Sequence, residues 1–135
     1  MDLQAFFADQ ISPLPELSFH LSDRFPENFH IRAISEEENA LLRRKTIKDS
    51  SSGELDLTDY LSKLAAACVV CPDLNNASLQ RSWGVIGSEA LLKKMLSAGE
   101  YAALLAKVQS LCGFDVNVTR LADDIKKEPC GAMQN

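Results

Sequence analysis

The sequence has no apolar run approaching the ~18 residues a membrane-spanning helix needs, so no such span is expected. Its start, Met1-Asp2-Leu3-Gln4, lacks the basic region and long apolar stretch of a secretory signal. Positive charge is also scarce. With 14 Lys+Arg against 19 Asp+Glu, the net charge is −5, which argues against a broad electrostatic grip on nucleic acid. Histidine is limited to His20 and His30, with no third metal ligand evident beside them. Neither a nucleophile–base–orienter set nor a metal constellation can be assembled around them. No catalytic, cofactor-binding or metal-binding residue is therefore expected.

What is present is the balance of an ordinary globular chain: 135 residues, 46% apolar and 24% charged. That length suits one domain able to bury roughly two-thirds of its unfolded surface. We place the domain at 1–127 and a frayed tail at 128–135. Leu and Ala number 19 and 15, a composition that favours helix.

Four cysteines, Cys68, Cys71, Cys112 and Cys130, are expected to be reduced thiols that pack as small hydrophobes. The Cys68-Val69-Val70-Cys71 spacing also fits a redox pair. Such a pair usually sits at a helix N-terminus, whose dipole favours the thiolate, whereas this one ends a helical pattern before Pro72. A zinc site would need a second close ligand pair.

Along the chain, Leu3, Phe6, Phe7 and Ile11 recur at helical spacing behind Asp2 and predict a short N-terminal helix ended by Pro13 and Pro15. Leu17, Phe19 and Leu21, then Phe29, Ile31 and Ala33, alternate with polar residues around a turn at 23–28 and predict a β-hairpin. By that alternation His20 and His30 share its outward face, as a cross-strand pair or simply as solvent-facing positions. Ser35 with Glu38 has capping-box spacing, and a helix should follow to Arg43-Arg44-Lys45, where basic side chains suit its C-terminal end. The stretch Asp49-Ser50-Ser51-Ser52-Gly53 reads as a loop. Asp56 or Thr58 caps a helix presenting Leu57, Tyr60, Leu61, Leu64 and Cys68 and closed by Pro72. A short helix is expected over 77–83 and another from Ser88. Ser97 and Glu100 form a second capping box before a helix carrying Tyr101, Leu104, Leu105, Val108 and Leu111, with Gly113 as a left-handed C-terminal residue. Leu121 and Ile125 hint at a last, weak helix. The expected architecture is α+β, mainly α: an N-terminal helix and a β-hairpin packed on a bundle of four to five short helices.

Two further features fit chemistry or packing. Gly84-Val85-Ile86-Gly87 before a helix fits a phosphate cradle, but without the Lys-Ser/Thr of a P-loop it reads better as a break between helices. Arg43, Arg44, Lys45 and Lys48 are a basic cluster that fits phosphate contacts, or complements its own helix and Glu36-Glu37-Glu38. The N-terminal apolar face either closes the core or docks on a partner, and the segment around Leu121 and Ile125 has the same two readings. These terminal segments are the best-motivated interaction surfaces: Leu3, Phe6, Phe7, Ile11, Leu121 and Ile125.

A set of longer motifs supports a family assignment. Met1-Asp2-Leu3-Gln4-Ala5-Phe6-Phe7, the run from Phe29-His30-Ile31-Arg32 to Glu36-Glu37-Glu38, and Asp59-Tyr60-Leu61-Ser62-Lys63-Leu64 through Val70 occur in order. Pro72-Asp73-Leu74-Asn75 follows, then Leu79-Gln80-Arg81-Ser82-Trp83-Gly84-Val85-Ile86-Gly87-Ser88 continuing to Glu100-Tyr101. Together they resemble the XkdN-like phage tail assembly chaperones of prophages and contractile-tailed phages, from Met1 to about Phe114. The resemblance implies a non-enzymatic assembly factor that binds the tape measure protein and keeps it soluble until the tail tube assembles. It also implies a place in the cytoplasm of a bacterial host and absence from the finished virion. Further partners it implies are the tail tube protein, a frameshifted longer form of the chain, and further copies of itself; neither nucleic acid nor membrane is implied. The Ser50–Ser52 loop and the segment from Pro129 depart from the family pattern and take no role from it. Two other readings stand beside this one: a structural or adaptor protein of the tail or baseplate, and a thiol oxidoreductase using Cys68 and Cys71.

Overall fold

In the computed structural model, residues 2–46 and 56–114 are described. Three short strands, β1 (Glu16–Phe19), β2 (Phe29–Arg32) and β3 (Val69–Cys71), form one antiparallel sheet in the order β1-β2-β3. Five α-helices accompany it among the described residues: α1 (Glu36–Thr46), α2 (Leu57–Cys68), α3 (Ala77–Trp83), α4 (Ser88–Met95) and α5 (Ala98–Leu111). The fold is α+β and mainly α, as the sequence leads one to expect.

The hairpin follows its alternation. Leu17 lies opposite Ile31 and Phe19 opposite Phe29, so period-2 spacing puts Phe29 and Ile31 on the buried face and leaves His30 and Arg32 half-buried. Phe25 in the turn meets Phe29 edge-on, with ring centroids 5.2 Å apart at 82°, a favoured aromatic arrangement.

Four of the five described α-helices begin where a side chain supplies a cap, and α4 starts at Gly87 without one. Ser35 Oγ accepts from the Glu38 N–H at 3.2 Å while the Ser35 N–H donates back to Glu38 Oε1 at 3.3 Å, so the expected capping box of α1 forms. Asp56 caps α2 by accepting from the Asp59 N–H at 3.1 Å. Asn76, whose role the pattern left unnoticed, does the same for α3 through the Leu79 N–H at 2.9 Å. Ser97 and Glu100 form the second capping box, at 3.1 and 2.8 Å. Gly113 lies at φ 94° just beyond α5, in the left-handed region expected of it.

The core lies between the sheet and α2, α4 and α5. Phe29, Ile31, Leu64, Leu91, Leu92, Leu104 and Val108 are buried completely or nearly so. Burying one such side chain contributes about 1.5–3 kcal/mol. Helix α2 is the hub, packing against α1, α4, α5 and β3.

Two expectations need correction. The helix thought to run to Pro72 ends at Cys68, and Val69–Cys71 turns into the third strand, with Val69 opposite Ile31 and Cys71 opposite His30 around an irregularity in β2. Paired β-branched valines favour extended backbone, as does the position preceding a proline, and β2 presents a second edge for them. The predicted N-terminal helix forms as two 3-10 turns, Leu3–Phe6 and Ala8–Gln10, separated by an extended Phe7. Neither turn buries a residue, so this segment is not packed on the bundle. A segment of that length has too few turns to offset helix nucleation without a surface to pack against. The Ser50–Ser52 loop, Leu121, Ile125, Cys130 and the expected boundary at 127/128 lie outside the described residues.

Candidate interaction surface

The turn joining β1 to β2 is tied to the start of α5 by a polar node. Arg24 Nε and a terminal guanidinium nitrogen each donate to a different Glu100 carboxylate oxygen at 3.0 Å, the bidentate geometry that makes Arg–carboxylate pairs strong. Ser22 Oγ also donates to Glu100, and Arg24 reaches the Met95 carbonyl at the end of α4. The Arg24 guanidinium, with Ser22 and the Ser97 N–H, holds the Glu100 carboxyl far below the usual carboxylate range, at about 2. One carboxylate thus completes a helix cap and fixes the hairpin over α4 and α5. A comparable pair joins β2 to α1: Arg32 donates to both Glu38 oxygens, at 3.1 and 2.9 Å.

The N-terminal segment is built in the opposite way. Leu3, Phe6, Phe7 and Ile11 are 67%, 66%, 51% and 54% exposed. Leu14, which periodicity did not single out, is exposed as well. The Asp2 carboxylate accepts from the Gln4 N–H at 3.1 Å, so the expected cap forms, but on a 3-10 turn. Asp2, Gln4, Asp9 and Gln10 share a shallow depression with Phe7, so acidic and amide groups border the apolar side chains. Contiguous apolar surface of several hundred Å² is uncommon on a monomer and often functional, and four large apolar side chains are exposed within this short segment. Of the predicted interaction residues, the structure places Leu3, Phe6, Phe7 and Ile11 in one exposed segment; Leu121 and Ile125 lie outside the described residues.

A second apolar surface went unread in the sequence. Phe25, Pro26, Phe29, Leu79, Trp83 and Met95 line an open groove of about 280 Å³ beneath the hairpin turn. Near it, Gly84-Val85-Ile86-Gly87 forms the break between α3 and α4, with Gly84 at φ 70° and Gly87 at φ 101°. Gln80 Oε1 accepts from the Gly87 N–H at 3.0 Å, and the held loop leaves Ile86 93% exposed. An isoleucine between two glycines was the available signal for this projection.

Several of the remaining candidate groups have structural partners. His20 bonds to Asp23 at 3.0 Å and His30 to Glu16 at 2.6 Å, so the two histidines do not pair with each other. Arg43 bonds to Glu36 at 2.7 Å within α1. Among the cysteines, Cys68 is buried, Cys112 half-buried and Cys71 exposed, so packing accounts for Cys68 but not for Cys71. The Cys68 and Cys112 sulfurs lie 3.8 Å apart. Among the described residues there is no group of three or more His, Cys, Asp or Glu side chains placed to hold a metal ion, and no helix long and apolar enough to cross a membrane.

Fold and surface together define a small, mainly helical α+β domain with large apolar side chains exposed along its N-terminal segment. The chain belongs to the phage XkdN-like tail assembly chaperone family, whose model matches residues 3–126. Among solved structures it is similar to the crystal structure of the protein yqbn, at 25% identity and a TM-score of 0.75, covering 85% of this chain and 98% of that one. No curated protein matches it. Membership places the chain in phage tail assembly, in a family of assembly proteins that interact with other tail proteins and is not a known enzyme family.

Proposed function

We propose that this chain binds the tape measure protein and keeps its apolar segments soluble until the tail tube assembles around it, without catalysis. The observation that carries the reading is the N-terminal segment, where Leu3, Phe6, Phe7 and Ile11 stand in solvent on a chain whose family works in tail assembly. An extended or helical partner segment would bury these side chains as an amphipathic element buries its anchors. Asp2 and Asp9 at the border favour a partner with basic residues flanking its apolar face. Leu121 and Ile125 would add to the same contact. The acidic net charge opposes self-association of the loaded chaperone. Tail tube protein, a frameshifted longer form and further copies of the chain are the other partners this reading allows. The working compartment would be the host cytoplasm, and 1–127 would act as one domain.

Co-expression with a tape measure fragment tests it. The fragment should partition to the soluble fraction only with this chain present, and unchanged aggregation would overturn the proposal. Mass spectrometry of purified tails separates a chaperone, which should be absent, from an adaptor or baseplate component, which should persist.

A further inference from the structure

Cys68 and Cys112 stand 44 positions apart in the chain, yet their sulfurs are 3.8 Å apart. Cys68 ends α2 and is buried, whereas Cys112 lies just past α5 and is partly open. The opening is a cleft of about 210 Å³ lined by Ile34, Ser35, Glu36, Asn39 and Phe114. A small oxidant entering that cleft reaches Cys112 and not Cys68. We propose that Cys68 and Cys112 are a peroxide-sensitive pair, in which Cys112 reacts first and Cys68 closes an intramolecular disulfide.

Exposure assigns these roles, since the cleft reaches Cys112 while Cys68 is buried, and the groups around the pair agree with it. The two thiols share an S–H···S contact in which either sulfur can donate; that contact, with the Ile34 N–H and the Arg32 guanidinium, holds the Cys112 thiol below its usual range. The same hydrogen bond, together with burial, pushes the Cys68 thiol up. Glu38, which pairs with Arg32, Glu36 of the cleft lining, which pairs with Arg43, and the Tyr60 hydroxyl also lie near the two sulfurs. The thiolate is the nucleophile in such chemistry, so the accessible cysteine is also the reactive one.

The steps balance with hydrogen peroxide as oxidant. Cys112 thiolate attacks one peroxide oxygen; an S–O bond forms, the O–O bond breaks, and the departing hydroxide takes a proton to leave as water. Cys112 is then a sulfenic acid. Cys68 loses its proton to the leaving hydroxyl and attacks Cys112 Sγ, so that the S–O bond breaks and a second water departs. Two thiols have lost two electrons and two protons, and one peroxide has gained them. The sulfurs need only close from 3.8 Å to ~2.05 Å. The product ties the C-terminal ends of α2 and α5 together, and it stands apart from the docking reading.

The test uses the full chain carrying Cys71→Ser and Cys130→Ser, so that only this pair remains. After hydrogen peroxide treatment, unreduced peptide mapping should recover a Cys68–Cys112 crosslink in monomeric protein. Tm should rise by about 5–15 °C and return on reduction. Two thiols still free, or Cys112 carried on to the sulfinic acid without a crosslink, would overturn the proposal. In a Cys68→Ala variant, Cys112 should accumulate as a sulfenic acid that dimedone captures. In the four-cysteine chain, a Cys68–Cys71 bridge in place of Cys68–Cys112 would equally overturn it.

Discussion

Phe29 and Phe6 are the same side chain in opposite circumstances: one is 2% exposed and the other 66%. Phe29 sits in a strand that finds partners on both edges, under Phe25 and over α5. Phe6 sits in a 3-10 turn that buries no residue among the described ones. Apolar periodicity registers both equally, because it measures what a segment would bury and not whether the same chain supplies the covering surface. The core spends its apolar residues on itself, while residues 2–14 hold theirs outward, the difference on which the proposed docking rests.

The comparison can be broken most severely from the core side. Leu64→Ala and Leu104→Ala each remove a fully buried side chain from the α2–α5 contact. Each should cost about 2–5 kcal/mol, seen as a large fall in Tm or a loss of soluble protein. A loss below ~1 kcal/mol would mean that the core does not close where the structure closes it.

A smaller effect is expected at the node that holds the hairpin on the helices, and it has a pH signature. Glu100 titrates at about 2 in the folded chain, chiefly through its hydrogen bonds from Arg24, against roughly 4.3 when unfolded. Because the folded value is the lower one, the stabilisation is complete above pH ~4.3 and is lost as pH falls toward ~2. Glu100→Gln should lower the denaturant midpoint at neutral pH by less than the core truncations do. It should also flatten the midpoint's slope between pH ~2 and ~4.3. A slope equal to that of the parent chain would show that the node is not what acid dismantles. Below this in size comes Asp56→Ala, which removes the cap of α2 and should cost about 1 kcal/mol, read from the same denaturation curves.

How much of this was legible in the sequence follows from how local each cause is. Both capping boxes, the Asp56 cap, the Gly113 terminus and the Phe29–Ile31 alternation depend on neighbours within a few positions, and all appear as read. The Arg24–Glu100 node joins residues 76 positions apart and the two sulfurs 44, and no spacing rule reaches that far. Strand β3 was hidden for a mixed reason: its valines are local, but the edge that recruits them belongs to β2. Leu3, Phe6, Phe7 and Ile11 were legible as apolar and amphipathic. Their exposure was not, since it depends on no other described element covering them.

The smallest expected stability effect is the most informative one. Phe6→Ser with Phe7→Ser removes two large apolar side chains that are half to two-thirds in solvent. If the segment is held out for a partner, folding draws almost nothing from these rings, and the change in stability should stay within ±0.5 kcal/mol. Tm would then hold to within about 3 °C while the tape measure fragment loses its soluble partner. If the rings instead fold back on the body in solution, Tm should fall by several degrees and binding should follow stability. Repeating the pair at Ile11 and Leu14 separates a localised anchor from a diffuse apolar strip, since a local anchor loses binding only at Phe6 and Phe7. Retained binding in both double variants, with Tm unchanged, would move the docking surface away from the N-terminus altogether. The apolar groove at Trp83, and the exposed Ile86, would then be the next surfaces to truncate.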